Sequence, residues 1–186
     1  MTHTGVPGPR SGPETVRTVS PRPAGRVFGA SPAVIGHRGL GCGVVRGHRE
    51  NTLGSFTAAA ALGAAWVEAD VRRTADDVLV VWHDEVYPDG TRVAEVGAAE
   101  ADRRGTLRLH TLVEQLPPEV GLDVDLKSAI DDSLRPASRT TAALLAPVVA
   151  AEVRRRPLLV TSFDPAALRW LRGQQPSLPL GWLTWH

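Results

Sequence analysis

Short apolar runs recur along the chain from residue 33 onward. Several of the segments between them have apolar residues at helical spacing. Six runs have the length of buried strands, at residues 33–36, 65–71, 78–82, 121–127, 157–162 and 179–184. Between them, the pattern predicts a helix after Thr52, an Ala- and Leu-rich helix over 140–154 and a helix that begins at Asp164-Pro165. Residues 84–117 are expected to form a long polar excursion with one short helix near 112–116. Strands that alternate with helices predict an α/β fold with a parallel sheet.

Charged side chains cluster where these predicted strands end. The residues concerned are His37, Glu68, Asp70, His83, Asp125 and Lys127. In a (β/α)₈ barrel this end of the sheet is the catalytic face, and in an open doubly wound sheet it is the ligand face. No glycine-rich dinucleotide or phosphate loop follows the first strand, which favours the barrel.

Composition narrows the class of protein. The chain has 186 residues, enough for one domain. Residues 1–31 are rich in Pro, Gly, Ser, Thr and Arg, so we predict a disordered tail followed by one domain over residues 32–186. The tail lacks the apolar centre of a secretory signal, and no apolar run approaches the roughly 20 residues of a membrane span. These features predict a cytoplasmic protein without stable membrane insertion.

Charge and cysteine content exclude further classes of site. The formal net charge of +1 argues against nucleic acid as the main partner. A single cysteine, Cys42, excludes an internal disulfide and a cysteine-built metal cage. Twenty of the 21 basic residues are arginines, and the only lysine, Lys127, falls among the charged residues at the strand ends.

The charged cluster has the chemistry of a cation site beside an anion site. Glu68 and Asp70 are two apart on a strand and face the same side, where they repel each other unless a cation intervenes. With Asp125 and Glu50 they form an oxygen-only set, which suits Mg²⁺ or Ca²⁺ better than zinc. His37 and His83 can transfer protons near neutral pH, and Arg38 and Lys127 can receive an anionic group.

Each of these features alone has an ordinary structural interpretation. The acidic pair at Glu68 and Asp70 could lie on a solvated strand face, since buried acids are rare. The alternating stretch 123–127 could be a half-exposed strand, and a histidine at a strand end is more often structural than catalytic. Their recurrence at the same end of successive strands favours a functional site.

Six motifs of the chain resemble the glycerophosphodiester phosphodiesterase family in order and spacing. They are His37-Arg38-Gly39, Glu50-Asn51-Thr52, the stretch from Glu68 to Asp76, His83-Asp84, Asp125-Leu126-Lys127 and Ser162-Phe163-Asp164. The resemblance runs from about residue 33 to the end of the sequence. It implies a TIM barrel that hydrolyses small-molecule glycerophosphodiesters to glycerol 3-phosphate and an alcohol with the help of a divalent cation.

Carried over residue by residue, the resemblance makes His37 and His83 the general acid/base pair. It makes Glu68, Asp70 and Asp125 metal ligands with Glu50 lining the same site, and it places the substrate phosphate on Arg38 and Lys127.

The chain departs from the family pattern in three places. The family usually has glutamate at the position of Asp125, and the loop between His37 and Glu50 is long and glycine-rich. Residues 32–186 number 155, against about 250 for a full barrel, so the barrel is expected to be truncated after about six strands.

Two alternative functions stay open at this point. A phospholipase D-like lyase shares the two histidines and the acidic metal site, and it would release a cyclic phosphate. A truncated barrel could instead bind phosphodiesters or a partner protein without turnover.

Overall fold

A computed structural model describes residues 1, 27–28 and 32–185 of the chain. The predicted tail lies almost entirely outside the described residues, so the division at residue 31 stays a prediction. The described strands are β1 (Ile35–His37), β2 (Val44–Val45), β3 (His48–Arg49), β4 (Trp66–Arg73), β5 (Leu79–Val81), β6 (Leu107–Arg108), β7 (Gly121–Leu126), β8 (Leu158–Ser162) and β9 (Leu180–Trp182). The described α-helices are α1 (Leu53–Ala61), α2 (Ala98–Arg103), α3 (Leu109–Gln115), α4 (Thr141–Glu152) and α5 (Pro165–Gln174).

Five of these strands form a parallel sheet in the order β1-β4-β7-β8-β9. Within this set of five, each strand pairs with the strand of the set that follows it in the sequence. The four connections contain α1, α3, α4 and α5. A doubly wound sheet reverses its strand order partway, whereas a barrel keeps one direction. The structure therefore confirms the α/β class and the barrel type. Within the described residues the sheet stays open, since β1 pairs only with β4 and β9 only with β8.

The predicted third strand belongs to the sheet, but it is not a barrel strand. β5 runs antiparallel to β4, with Val81 opposite Val71 and Leu79 opposite Arg73. Only residues 74–78 separate the two strands. A parallel crossover needs about a dozen residues, so this short connection can form only a hairpin. All six predicted strands therefore belong to the sheet, and five of them run parallel in the described part of the chain.

The predicted polar excursion is a folded segment. It contains α2, the short strand β6 and α3, and the helix expected near 112–116 begins earlier, at Leu109. Val80, Tyr87, Val93 and Ala101 are buried together and form a small second core. This core packs beside β5 and so supports the position of His83, which follows that strand.

The two faces of β4 have opposite characters. Val67, Ala69 and Val71 are fully buried in the main core. Glu68 and Asp70 lie on the other face, since strand residues alternate. The register places Asp123 beside Glu68 and Asp125 beside Asp70 on β7, with His37 beside Glu68 on β1. The parallel strands thereby bring the charged residues to one end of the sheet.

No helix in the part of the chain that the structure describes is both long enough and apolar enough to cross a membrane.

Candidate active site

Three buried carboxylates form the centre of the site. Glu68 and Asp70 on β4 and Asp125 on β7 each offer an oxygen, and these oxygens lie within 4.8 Å of one another. The residues are 8%, 1% and 6% exposed, so the interpretation of a solvated strand face was wrong. All six residues of β7 are buried, which also excludes a half-exposed strand.

Burial and the charges of neighbouring carboxylates disfavour the charged forms of Glu68 and Asp125. The pKa of Glu68 rises to about 8 because the group is buried and because Asp70 carries a nearby negative charge. Burial also raises the pKa of Asp125, although a hydrogen bond from Lys127 opposes the shift. Asp125 Oδ1 is buried and has no hydrogen-bond partner within the described residues. An unpartnered carboxylate oxygen beside two further carboxylates fits a hard divalent cation.

Lys127 and Arg38 bring positive charge to the same carboxylates. Lys127 Nζ lies 3.0 Å from Asp70 Oδ1 and also pairs with Asp125 Oδ2. Burial lowers the pKa of Lys127, but the hydrogen bond to Asp125 and the charge of Asp70 outweigh it and raise the pKa overall. Arg38 Nε lies 3.3 Å from Asp70 Oδ2, and the Arg38 backbone N–H donates to Glu68 Oε2 at 2.9 Å. Both predicted phosphate-binding residues therefore border the carboxylates.

The structure does not place Glu50 in the carboxylate cluster. Glu50 Oε1 accepts a hydrogen bond from Arg38 Nη1 at 3.1 Å, and its other oxygen accepts from the backbone N–H of Gly43. Glu50 thus orients the Arg38 guanidinium and closes the glycine-rich loop that precedes it.

Two polar residues of the site were missed from the sequence. Asn51 is buried, and its Nδ2 donates to Asp70 Oδ2 at 2.8 Å. Asp123 lies beside Glu68 and accepts a hydrogen bond from Thr161 Oγ1 at 3.0 Å. Burial raises the pKa of Asp123 to about 6. Asn51 stands within one of the quoted motifs, and Asp123 is two residues before Asp125 on the same face of the strand. The sequence therefore marked both positions as candidates for the site, although it did not show their contacts.

The two candidate histidines come from different parts of the sheet, His37 at the end of β1 and His83 two residues after β5. His37 Nε2 lies 3.9 Å from Glu68 Oε2, and its Nδ1 lies 3.6 Å from the sulfur of Cys42. Burial, the positive charge of Arg38 and that of His83 all lower the pKa of His37. His83 Nδ1 lies 2.7 Å from Asp84 Oδ1. The backbone N–H of Trp82, the residue before His83, donates to the carbonyl oxygen of Asp70 at 2.9 Å, so His83 directly follows a segment paired with β4.

Together these residues can hold a hard cation, contact an anionic group and exchange protons at one end of the sheet. The sequence model of the glycerophosphoryl diester phosphodiesterase family matches residues 37–185. The chain belongs to this family. That match confirms the resemblance inferred from the six motifs.

Other family members show how far the likeness extends. The chain is 52% identical over 58 residues to a glycerophosphocholine phosphodiesterase of Eremothecium gossypii. This match covers 29% of this chain and 4% of that protein. It is 26% identical over 200 residues to a glycerophosphodiester phosphodiesterase of Arabidopsis thaliana, covering 82% of this chain and 53% of that protein.

A solved phosphodiesterase from Oleispira antarctica, in complex with the product sn-glycerol-3-phosphate, superposes with a TM-score of 0.65 at 25% identity. The match covers 81% of this chain and 65% of that one. The chain therefore spans about half the length of the Arabidopsis relative and about two thirds of this solved structure.

Proposed function

We propose that the protein hydrolyses glycerophosphodiesters to glycerol 3-phosphate and an alcohol in a reaction that depends on a divalent cation. The observation that carries the proposal is the group of three buried carboxylates bordered by Lys127, Arg38 and His37. Family membership and the phosphodiesterases among the relatives support the choice of substrate class.

The cation would be held by Glu68, Asp70 and Asp125, and its oxygen-only ligands favour Mg²⁺ or Ca²⁺. When bound, it would neutralise negative charge that grows on the phosphoryl oxygens. Arg38 and Lys127 would contact the phosphate from the same side, and Glu50 would keep the Arg38 guanidinium in place.

His37 and His83 would act as the general acid/base pair. One ring takes a proton from the nucleophile, which is water or the neighbouring glycerol hydroxyl, and the other protonates the oxygen of the departing alcohol. Where the glycerol hydroxyl attacks, water then opens the cyclic phosphate to give glycerol 3-phosphate. The lowered pKa of His37 favours its neutral form near pH 7, which can accept a proton. The cytoplasmic location and the absence of a nucleic-acid partner stay predictions from the sequence.

The test is turnover of glycerophosphocholine, with phosphorus NMR to identify the product. We expect glycerol 3-phosphate, loss of activity in excess chelator and recovery with Mg²⁺ or Ca²⁺. Asp125→Asn should raise the metal concentration needed for activity. The control is Asp102→Asn, because Asp102 is exposed and pairs with Arg108 away from the site.

Full activity in excess chelator would contradict the role of the cation. A cyclic phosphate product would identify a lyase instead of a hydrolase. Binding of the substrate without turnover would favour a non-catalytic phosphodiester-binding protein.

A further inference from the structure

The backbone of His83 is held by one arginine side chain. Arg72 Nε donates to the His83 carbonyl oxygen at 2.9 Å, and Arg72 Nη2 donates to the same oxygen at 2.6 Å. Arg72 lies on β4 two residues beyond Asp70, so it faces the same side as the carboxylates. We propose that Arg72 is a positioning residue that fixes His83 for proton transfer, an inference that rests on the proposed function.

The surroundings of His83 explain why these two hydrogen bonds from Arg72 matter. β5 ends at Val81, and after it the Trp82 backbone N–H donates one further hydrogen bond to the backbone carbonyl oxygen of Asp70 at 2.9 Å. The His83 ring contacts the carboxylate of Asp84, whose side chain is 69% exposed. An exposed ion pair holds a side chain only weakly, since solvent competes for both groups. Two hydrogen bonds from a partly buried guanidinium restrain the His83 backbone much more firmly.

The charge of Arg72 is supported where it lies. Burial lowers the pKa of Arg72, and the negative charges of Glu85, Asp70 and Asp84 oppose that shift only in part. The guanidinium stays protonated at any working pH and keeps all of its donors. Arginine suits this position because its planar group presents Nε and Nη2 in a fixed fork, which the single ammonium of lysine cannot reproduce.

The experiment compares Arg72→Lys and Arg72→Gln with a matched arginine elsewhere. Arg103 on α2 makes the same Nε and Nη2 fork onto one oxygen of Glu100, at 3.0 and 2.6 Å, on an exposed surface. Each Arg72 variant should lower kcat about 10- to 100-fold with KM nearly unchanged, because misplacement of a catalytic group affects the chemical step. Arg103→Lys should have the kinetics of the wild type.

A double-mutant cycle decides whether Arg72 acts through His83. In a His83→Ala background, Arg72→Lys should cause no further loss of kcat, because the ring that it positions is gone. The same loss in both backgrounds would overturn the proposal and leave Arg72 a general structural residue. Thermal melting of each variant shows that the chain is folded before kinetics are compared.

A second readout does not depend on the activity. The ring resonances of His83 in NMR spectra, assigned with His83→Ala, should shift in Arg72→Lys and stay unchanged in Arg103→Lys. Unchanged resonances in Arg72→Lys would overturn the inference. If the wild type shows no turnover, the proposed hydrolysis fails, whereas this spectroscopic comparison still tests the positioning of His83.

Discussion

Replacing Glu68 with glutamine is expected to flatten the pH dependence of the protein's stability between about pH 4.5 and about pH 8. Glu68 is 8% exposed, and its pKa rises to about 8 from the ordinary 4.5 because of burial and the charge of Asp70. The folded protein therefore keeps a proton that the unfolded chain releases. Stability from this group is fully present below the unfolded pKa and is lost as pH rises through the folded one.

The size of the effect follows from the two pKa values. Each pKa unit corresponds to about 1.4 kcal/mol, so between about pH 6 and about pH 8.5 this one group should cost the metal-free protein on the order of 2 kcal/mol of unfolding free energy. Glutamine keeps an oxygen that can accept from the Arg38 N–H, and it carries no charge to desolvate. Glu68→Gln should therefore lose far less free energy over the same range.

The measurement is urea denaturation at the two pH values in excess chelator, because a bound cation would itself favour the ionised carboxylate. Glu114→Gln is the control. Glu114 lies exposed on α3, so this substitution removes one negative charge from the surface and not from the site. If the wild type and Glu68→Gln lose the same free energy between the two pH values, the reasoning from burial and repulsion is refuted.

Two further predictions concern catalysis and packing. Alanine at His37 should lower kcat by on the order of 10²–10⁴, whereas His48→Ala on β3 should leave steady-state kinetics near those of the wild type; an active His37→Ala would contradict the assignment. Alanine at Gly121 would place its Cβ 2.2 Å from the ring of Trp66 and should cost about 2–3 kcal/mol in urea denaturation. Gly173→Ala on α5 is its control, because nothing lies within 4 Å of the added Cβ; equal losses in both would refute the packing argument.

Sequence patterns located the main elements of the fold because local chemistry determines them. Apolar runs buried in the sheet became strands, and two helix starts followed from their caps. The Thr52 side chain accepts from Ser55 N, and Asp164 accepts from Ala166 N, with Pro165 in the first turn. Periodicity carries no information on strand direction, so the β4–β5 hairpin was misread, although the short connection between the two strands indicates a hairpin. α2 escaped prediction because it has only six residues and its buried side chains are two alanines, Ala98 and Ala101.

In the site, too, local patterns could be predicted from the sequence, whereas contacts that depend on the tertiary structure could not. Glu68 and Asp70 could be placed together from their spacing on one strand, and Asp125 from the parallel sheet. The contact between Asn51 and Asp70 could not, because it depends on a left-handed backbone turn at Asn51, with φ of 56°, that returns the chain to β4. Glu50 also needed the tertiary structure, since the path of the glycine-rich loop directs its carboxylate to Arg38.

The geometry of the site depends on the register of a single strand. Successive positions on one face of β4 contact three different segments: Glu68 binds the backbone of Arg38, Asp70 pairs with Lys127, and Arg72 holds His83. A slip of one residue would turn every one of these side chains away, because alternate residues face opposite sides of a strand. The six paired residues between β4 and β7 resist such a slip, as does the burial of the apolar residues on the opposite face. The apolar core behind β4 therefore maintains the arrangement of charges in front of it.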